Sequence, residues 1–66
     1  MKLIINGEIK DIQDNSSLQK IITDLGIEDK VMAAAINMNI VKKDDWSNFI
    51  PNDGDKLELL QFVGGG

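Results

Sequence analysis

A chain of 66 residues that contains neither cysteine nor histidine has few ways to hold itself together. Disulfides are excluded and the commonest metal ligands are missing, so a hydrophobic core must supply what staples or zinc supply in other small domains. A domain of this size hides about 60% of the surface its unfolded chain exposes, which allows one core and a thin stability margin. The longest apolar stretch, Val31 to Ile36, is far short of a membrane span, and Leu3 to Ile5 is too short for the apolar part of a signal peptide. The expectation is therefore a soluble, cytoplasmic single domain. Seven basic against eleven acidic residues give a formal charge of −4, which repels phosphate backbones and argues against nucleic-acid binding.

Where the core comes from follows from the turn signals. Asn6-Gly7 supplies the two positive-φ positions of a type I′ turn, and its isoleucine-rich flanks predict a hairpin over Lys2 to Ile12. Leu3 and Ile5 share its apolar face. Asp14-Asn15-Ser16-Ser17 offers helix N-caps, and Leu18, Ile21, Ile22 and Leu25 follow at i, i+3, i+4 and i+7, with Gly26 placed to end the helix. Val31 to Ile36 reads as a strand leading into a turn at Asn37-Met38-Asn39, with Ile40-Val41 as a short return strand. Its alanines suit a strand that a helix approaches closely. Lys42 to Ile50 lacks alternation, so Trp46, Phe49 and Ile50 are expected to anchor a loop or short helical turn. Pro51-Asn52-Asp53-Gly54-Asp55 is dense in turn formers and precedes a final strand, Leu57 to Val63. The order ββαββ, with a last strand running on to the glycines, predicts an α+β fold: a mixed four- to five-stranded sheet with one helix packed across it. That is the layout of the β-grasp, or ubiquitin-like, fold, expected to occupy residues 1–63 and to leave 64–66 as a flexible glycine tail.

Gly64, Gly65 and Gly66 have no Cβ, so an extended tail made of them fits a channel too narrow for side chains. A free carboxylate is a poor electrophile, but coupling it to AMP gives an acyl adenylate that a sulfur nucleophile attacks, leaving a thiocarboxylate at Gly66. The chain has no cysteine to supply sulfur and no Gly-rich phosphate loop opening a helix. It thus reads as a substrate and not an enzyme, with no cofactor of its own and ATP used by a partner. From the residues alone, the glycines also fit a linker remnant or an engineered scar.

Across nearly its whole length the chain resembles the ThiS family of sulfur carriers. The resemblance rests on Ala33-Ala34-Ala35-Ile36-Asn37, Ile40-Val41, Trp46, Asp53-Gly54-Asp55 and Gly65-Gly66. Many members have Pro-Arg after the valine, where this chain has Lys42-Lys43 and so loses a φ restraint and a guanidinium fork. The resemblance implies a handover in thiamine biosynthesis. A ThiF-like adenylating enzyme would activate Gly66, a sulfurtransferase system would load sulfur, and thiazole synthase would receive it. Two rival readings share the activated glycine: a carrier for molybdopterin or another sulfur product, and a ubiquitin-like protein-modifying tag.

A tail alone gives little specificity, so a partner also needs a folded surface. If Leu57 and Leu59 point to the helix, then Glu58, Leu60 and Phe62 point outward. Leu60 and Phe62 are accordingly the expected docking residues, unless the loop around Trp46 or self-association covers them. Asp44-Asp45 and Asp53-Asp55 lack the spacing of a metal loop and read as turn and cap residues. Trp46 reads as a lid on the core.

Overall fold

The computed structural model describes residues 1–62. The chain runs β1 (Lys2–Ile5), β2 (Glu8–Asp11), α1 (Leu18–Asp24), β3 (Val31–Ile36), β4 (Asn39–Val41), a single 3-10 turn (Lys43–Asp45) and β5 (Lys56–Gln61). The strands form one sheet in the order β2-β1-β5-β3-β4. Only the β1–β5 pairing is parallel, so the sheet is mixed, as expected of a β-grasp fold. The last strand in sequence lies at the centre of the sheet. Val63 as a strand residue and Gly64–Gly66 as a tail lie outside the described residues.

Helix α1 is short, so its exposed backbone donors matter more than its propensity. Three of them are met. Ser17 caps the helix by accepting from the Lys20 N–H, while the Leu18 and Gln19 N–H groups donate to the carbonyls of Phe49 and Trp46 at 2.7 and 2.9 Å. The loop after β4 is therefore the cap of a helix far from it in sequence. At the other end Gly26, with φ +73°, takes the left-handed position that stops the helix.

The core lies between the helix and one face of the sheet. Leu18, Ile21 and Ile22 meet Leu3, Ile5, Ala34, Ile36, Leu57 and Leu59, and all are buried. Trp46 closes one end at 1% exposure, and its indole N–H is satisfied by the Val41 carbonyl at 2.9 Å. It is the lid that its sequence context suggested. Each large aliphatic side chain buried this way contributes about 1.5–3 kcal/mol relative to exposure.

Two expectations need correction. Ile50 does not anchor the loop: it is half exposed, and the residue that turns inward beside it is Pro51. The alanines of β3 do not all make room for the helix either. Ala34 faces the core, but Ala33 and Ala35 lie on the opposite face, paired with Leu60 and Glu58 of β5. A register irregularity between Val31 and Ala33 sets this phase, with Val31 buried and Met32 exposed.

Candidate functional site

The sheet face turned away from α1 is open. Pairing of Ile4 with Ile9, Ala33 with Leu60, and Ala35 with both Glu58 and Ile40 places these side chains together on it. Ala33, Ala35, Ile40, Glu58, Leu60 and Asn6 line a shallow depression of about 230 Å³, open to solvent. The small alanines make the hollow, and Ile40 and Leu60 stand at its sides. Glu58 and Lys56 on β5 are exposed and add charge beside these apolar side chains.

Alternation along β5 sorts its side chains as the sequence suggested. Leu57 and Leu59 are buried, whereas Leu60 is 61% exposed and Phe62, one residue past the strand, is 60% exposed. The loop around Trp46 does not cover them; it packs on the helix start instead. Gly64, Gly65 and Gly66, the expected tail and sulfur-attachment residues, lie outside the described residues. Leading toward them in sequence is a central strand whose last backbone contact among the described residues runs from the Phe62 N–H to the Lys30 carbonyl.

The ThiS family model matches residues 3–66, nearly the whole chain and all three glycines. The chain belongs to the ThiS family. It is similar to the sulfur carrier protein ThiS of Escherichia coli K12, with 27% identity over the full length of both chains. It is also 38% identical over all 66 residues to a thiazole synthase of Paramagnetospirillum magneticum, of which it spans only 20%. Among solved structures, a ThiS protein of Geobacter metallireducens superimposes over 100% of both chains with a TM-score of 0.78 at 24% identity, a likeness of fold.

The residues that carry the ThiS-family pattern have structural jobs here. Asn37 opens the β3–β4 turn, its Oδ1 accepts from the Lys56 N–H at 3.0 Å, and its Nδ2 donates to Asp55 Oδ1 at 3.0 Å. The second oxygen of Asp55 accepts from the Asn52 N–H at 2.8 Å, and Asp53 accepts from the Lys2 N–H at 2.6 Å. These carboxylates fix the turn that feeds β5. Lys42 stands where many ThiS-family members have proline, yet its φ is −63°, the angle a proline ring would impose. The backbone thus takes a proline-compatible φ without a proline ring to impose it. Lys43 lies 5.9 Å over the Trp46 ring, so its cation still caps the indole.

One residue escaped the reading of the sequence. Asn6 was legible only as half of a turn, but its side-chain amide reaches across to β5, with Oδ1 accepting from the Leu59 N–H at 2.8 Å and Nδ2 donating to the Leu59 carbonyl at 3.3 Å. Nothing local signals a contact with a residue at the other end of the chain.

Proposed function

We infer that this ThiS-family chain is a sulfur carrier for thiazole formation in thiamine biosynthesis, and a co-substrate of its partner enzymes, not a catalyst. The body is the β-grasp domain, residues 1–63, and the glycines at 64–66 form the tail that a partner threads. A ThiF-like adenylating enzyme binds ATP. The Gly66 carboxylate attacks its α-phosphorus, pyrophosphate leaves, and the acyl adenylate forms. A sulfurtransferase persulfide then attacks the acyl carbon and displaces AMP, and a second thiol on a partner protein cleaves the resulting acyl disulfide, leaving the Gly66 thiocarboxylate and a disulfide between the two thiols. Thiazole synthase takes the sulfur. The handover takes place in the cytoplasm.

The observation that carries this reading is the position of Leu60 and Phe62. Both are exposed apolar side chains, Leu60 near the end of β5 and Phe62 one residue beyond it, shortly before the glycines in sequence. A partner that seats on them has Gly66 only four residues of chain beyond Phe62, a reach of at most about 14 Å. Leu60 and Phe62 are the docking residues for the adenylating enzyme, and the match to a stretch of a thiazole synthase supports placing this chain in the same pathway.

Intact-mass analysis after incubation with ATP and cell extract tests the reading. Exchange of one oxygen for sulfur on the chain is the expected result. A ladder of larger conjugates, or no change of mass, overturns it. Separate Leu60→Ser and Phe62→Ser variants test the docking face. Each is expected to remain folded and to raise the carrier concentration needed for half-maximal adenylation. Unimpaired adenylation of both overturns the assignment of that face.

A further inference from the structure

We propose that Glu58 is a specificity-determining residue for the adenylating partner: it receives a long cationic side chain, lysine or arginine, that the partner lays into the hollow between Ile40 and Leu60. The proposal rests on the carrier reading and its docking face, and it names the chemistry which that face selects.

Glu58 and Leu60 are two residues apart on β5, so their side chains leave the sheet on the same face, about 7 Å from each other. Both line the hollow floored by the alanines of β3. A specific interface covers about 800 Å² of each partner, so any surface that seats on Leu60 covers Glu58 as well. A carboxylate that loses its water must gain a counter-charge, or it opposes the contact that covers it. An apolar anchor from the partner would fill the hollow and leave that charge unmatched.

The counter-charge does not come from this chain. The ion pairs among the described residues join the Met1 ammonium to Asp14, Lys10 to Glu8, and Lys20 to Asp24. None includes Glu58. Toward the β4 edge its neighbours in register are Ala35 and then Ile40, which carry no charge. Asn6 also lines the hollow, but its amide is committed to the N–H and C=O of Leu59.

The shape of the hollow specifies what brings the missing charge. Its floor is made by Ala33 and Ala35, its volume is about 230 Å³, and it is open to solvent. A lysine or arginine stem lies along such a floor with its methylenes on the alanines and its charged head at the carboxylate. At longer range, the formal charge of −4 on the chain favours the approach of a basic surface.

Carrier-dependent ATP–pyrophosphate exchange by the adenylating enzyme of the same organism tests the assignment, with urea unfolding to confirm that each variant is folded. Glu58→Gln keeps the size of the side chain and removes its charge. It is expected to raise the KM for the carrier about tenfold at unchanged kcat, and to make that KM less sensitive to salt. Glu58→Lys is expected to raise KM further, because like charges then meet; Glu58→Gln carries the test if the lysine variant fails to fold. Asp24→Asn removes the same charge from the helix, on the other side of the sheet, and is expected to leave KM nearly unchanged. An unchanged or lowered KM in Glu58→Gln means that the hollow takes an apolar anchor, and it overturns the proposal. So does an equal rise of KM in Asp24→Asn, the signature of overall charge alone, or a fall in kcat at constant KM in Glu58→Gln. Absence of exchange with the wild-type chain overturns the carrier reading, and unimpaired exchange by Leu60→Ser overturns the docking face, each taking this proposal with it. Normal wild-type exchange with an impaired Leu60→Ser and an unaffected Glu58→Gln overturns the proposal alone.

Discussion

Two turns of this molecule are built alike and filled differently. Asn6-Gly7 joins β1 to β2 and Asn37-Met38 joins β3 to β4, each as a two-residue connection between antiparallel neighbours. The first residues have nearly the same φ, 49° and 48°, and the second residues are both left-handed, at 85° for Gly7 and 72° for Met38. Glycine adopts that region freely, whereas an L side chain is penalised there by about 1–2 kcal/mol. Met38 gains nothing from burial, since it is 85% exposed. The second turn therefore holds its shape against the preference of its own residue. What holds it is Asn37, whose backbone N–H reaches the Lys56 carbonyl at 2.8 Å and whose side chain grips Lys56 and Asp55. Anchoring to β5 thus replaces local preference where local preference is unfavourable.

The largest effect should come from removing that anchor. Asn37→Ala loses the tolerance for positive φ and both side-chain hydrogen bonds, and it should lower the stability by about 3 kcal/mol in urea unfolding. Asn37→Gly separates the two contributions, because it keeps the backbone and loses only the bonds. If the alanine variant is no less stable than the glycine variant, the turn is not held as described.

The second positions should respond in opposite directions. Gly7→Ala meets no atom within 4 Å of the new Cβ, so its cost, about 1 kcal/mol, is that of backbone strain alone. Met38→Gly should return a similar amount, a stabilisation of about 1 kcal/mol read as a higher urea midpoint. Destabilisation by Met38→Gly would mean that the methionine makes a stabilising contact and that the two turns are not equivalent. The smallest expected effect lies just beyond the second hairpin. Lys42→Pro fits the existing φ of −63° and should stabilise the loop by about 0.5 kcal/mol through the unfolded state.

The sequence made the strands, the helix and both turns legible because their determinants are local. Asn6-Gly7, the caps before Leu18 and the glycine at 26 each act within a few residues. The sorting of Leu57, Leu59, Leu60 and Phe62 was legible because a strand has only two faces. The faces of Ala33 and Ala35 were not, since a register shift against β5 sets them and the alanines themselves do not. Ile50 misled for a related reason: next to Pro51 the chain has one inward direction, and the proline takes it. The grip of Asn6 on Leu59 lay furthest from view, because an asparagine in a turn has the same local signature whether its amide meets water or a distant strand.

The central place of β5 in the sheet also has a consequence for how the protein comes into being. During synthesis the two hairpins, β1–β2 and β3–β4, emerge complete with their turns, but each lacks its inner neighbour until β5 leaves the ribosome. Closing the sheet then requires contacts between opposite ends of the chain, the slow kind to form. A truncated product that stops before Leu57 has no strand to join its halves and exposes unpaired edges to proteases and to other chains. Only chains translated through the strand that precedes the glycines acquire a folded body for a partner to grip.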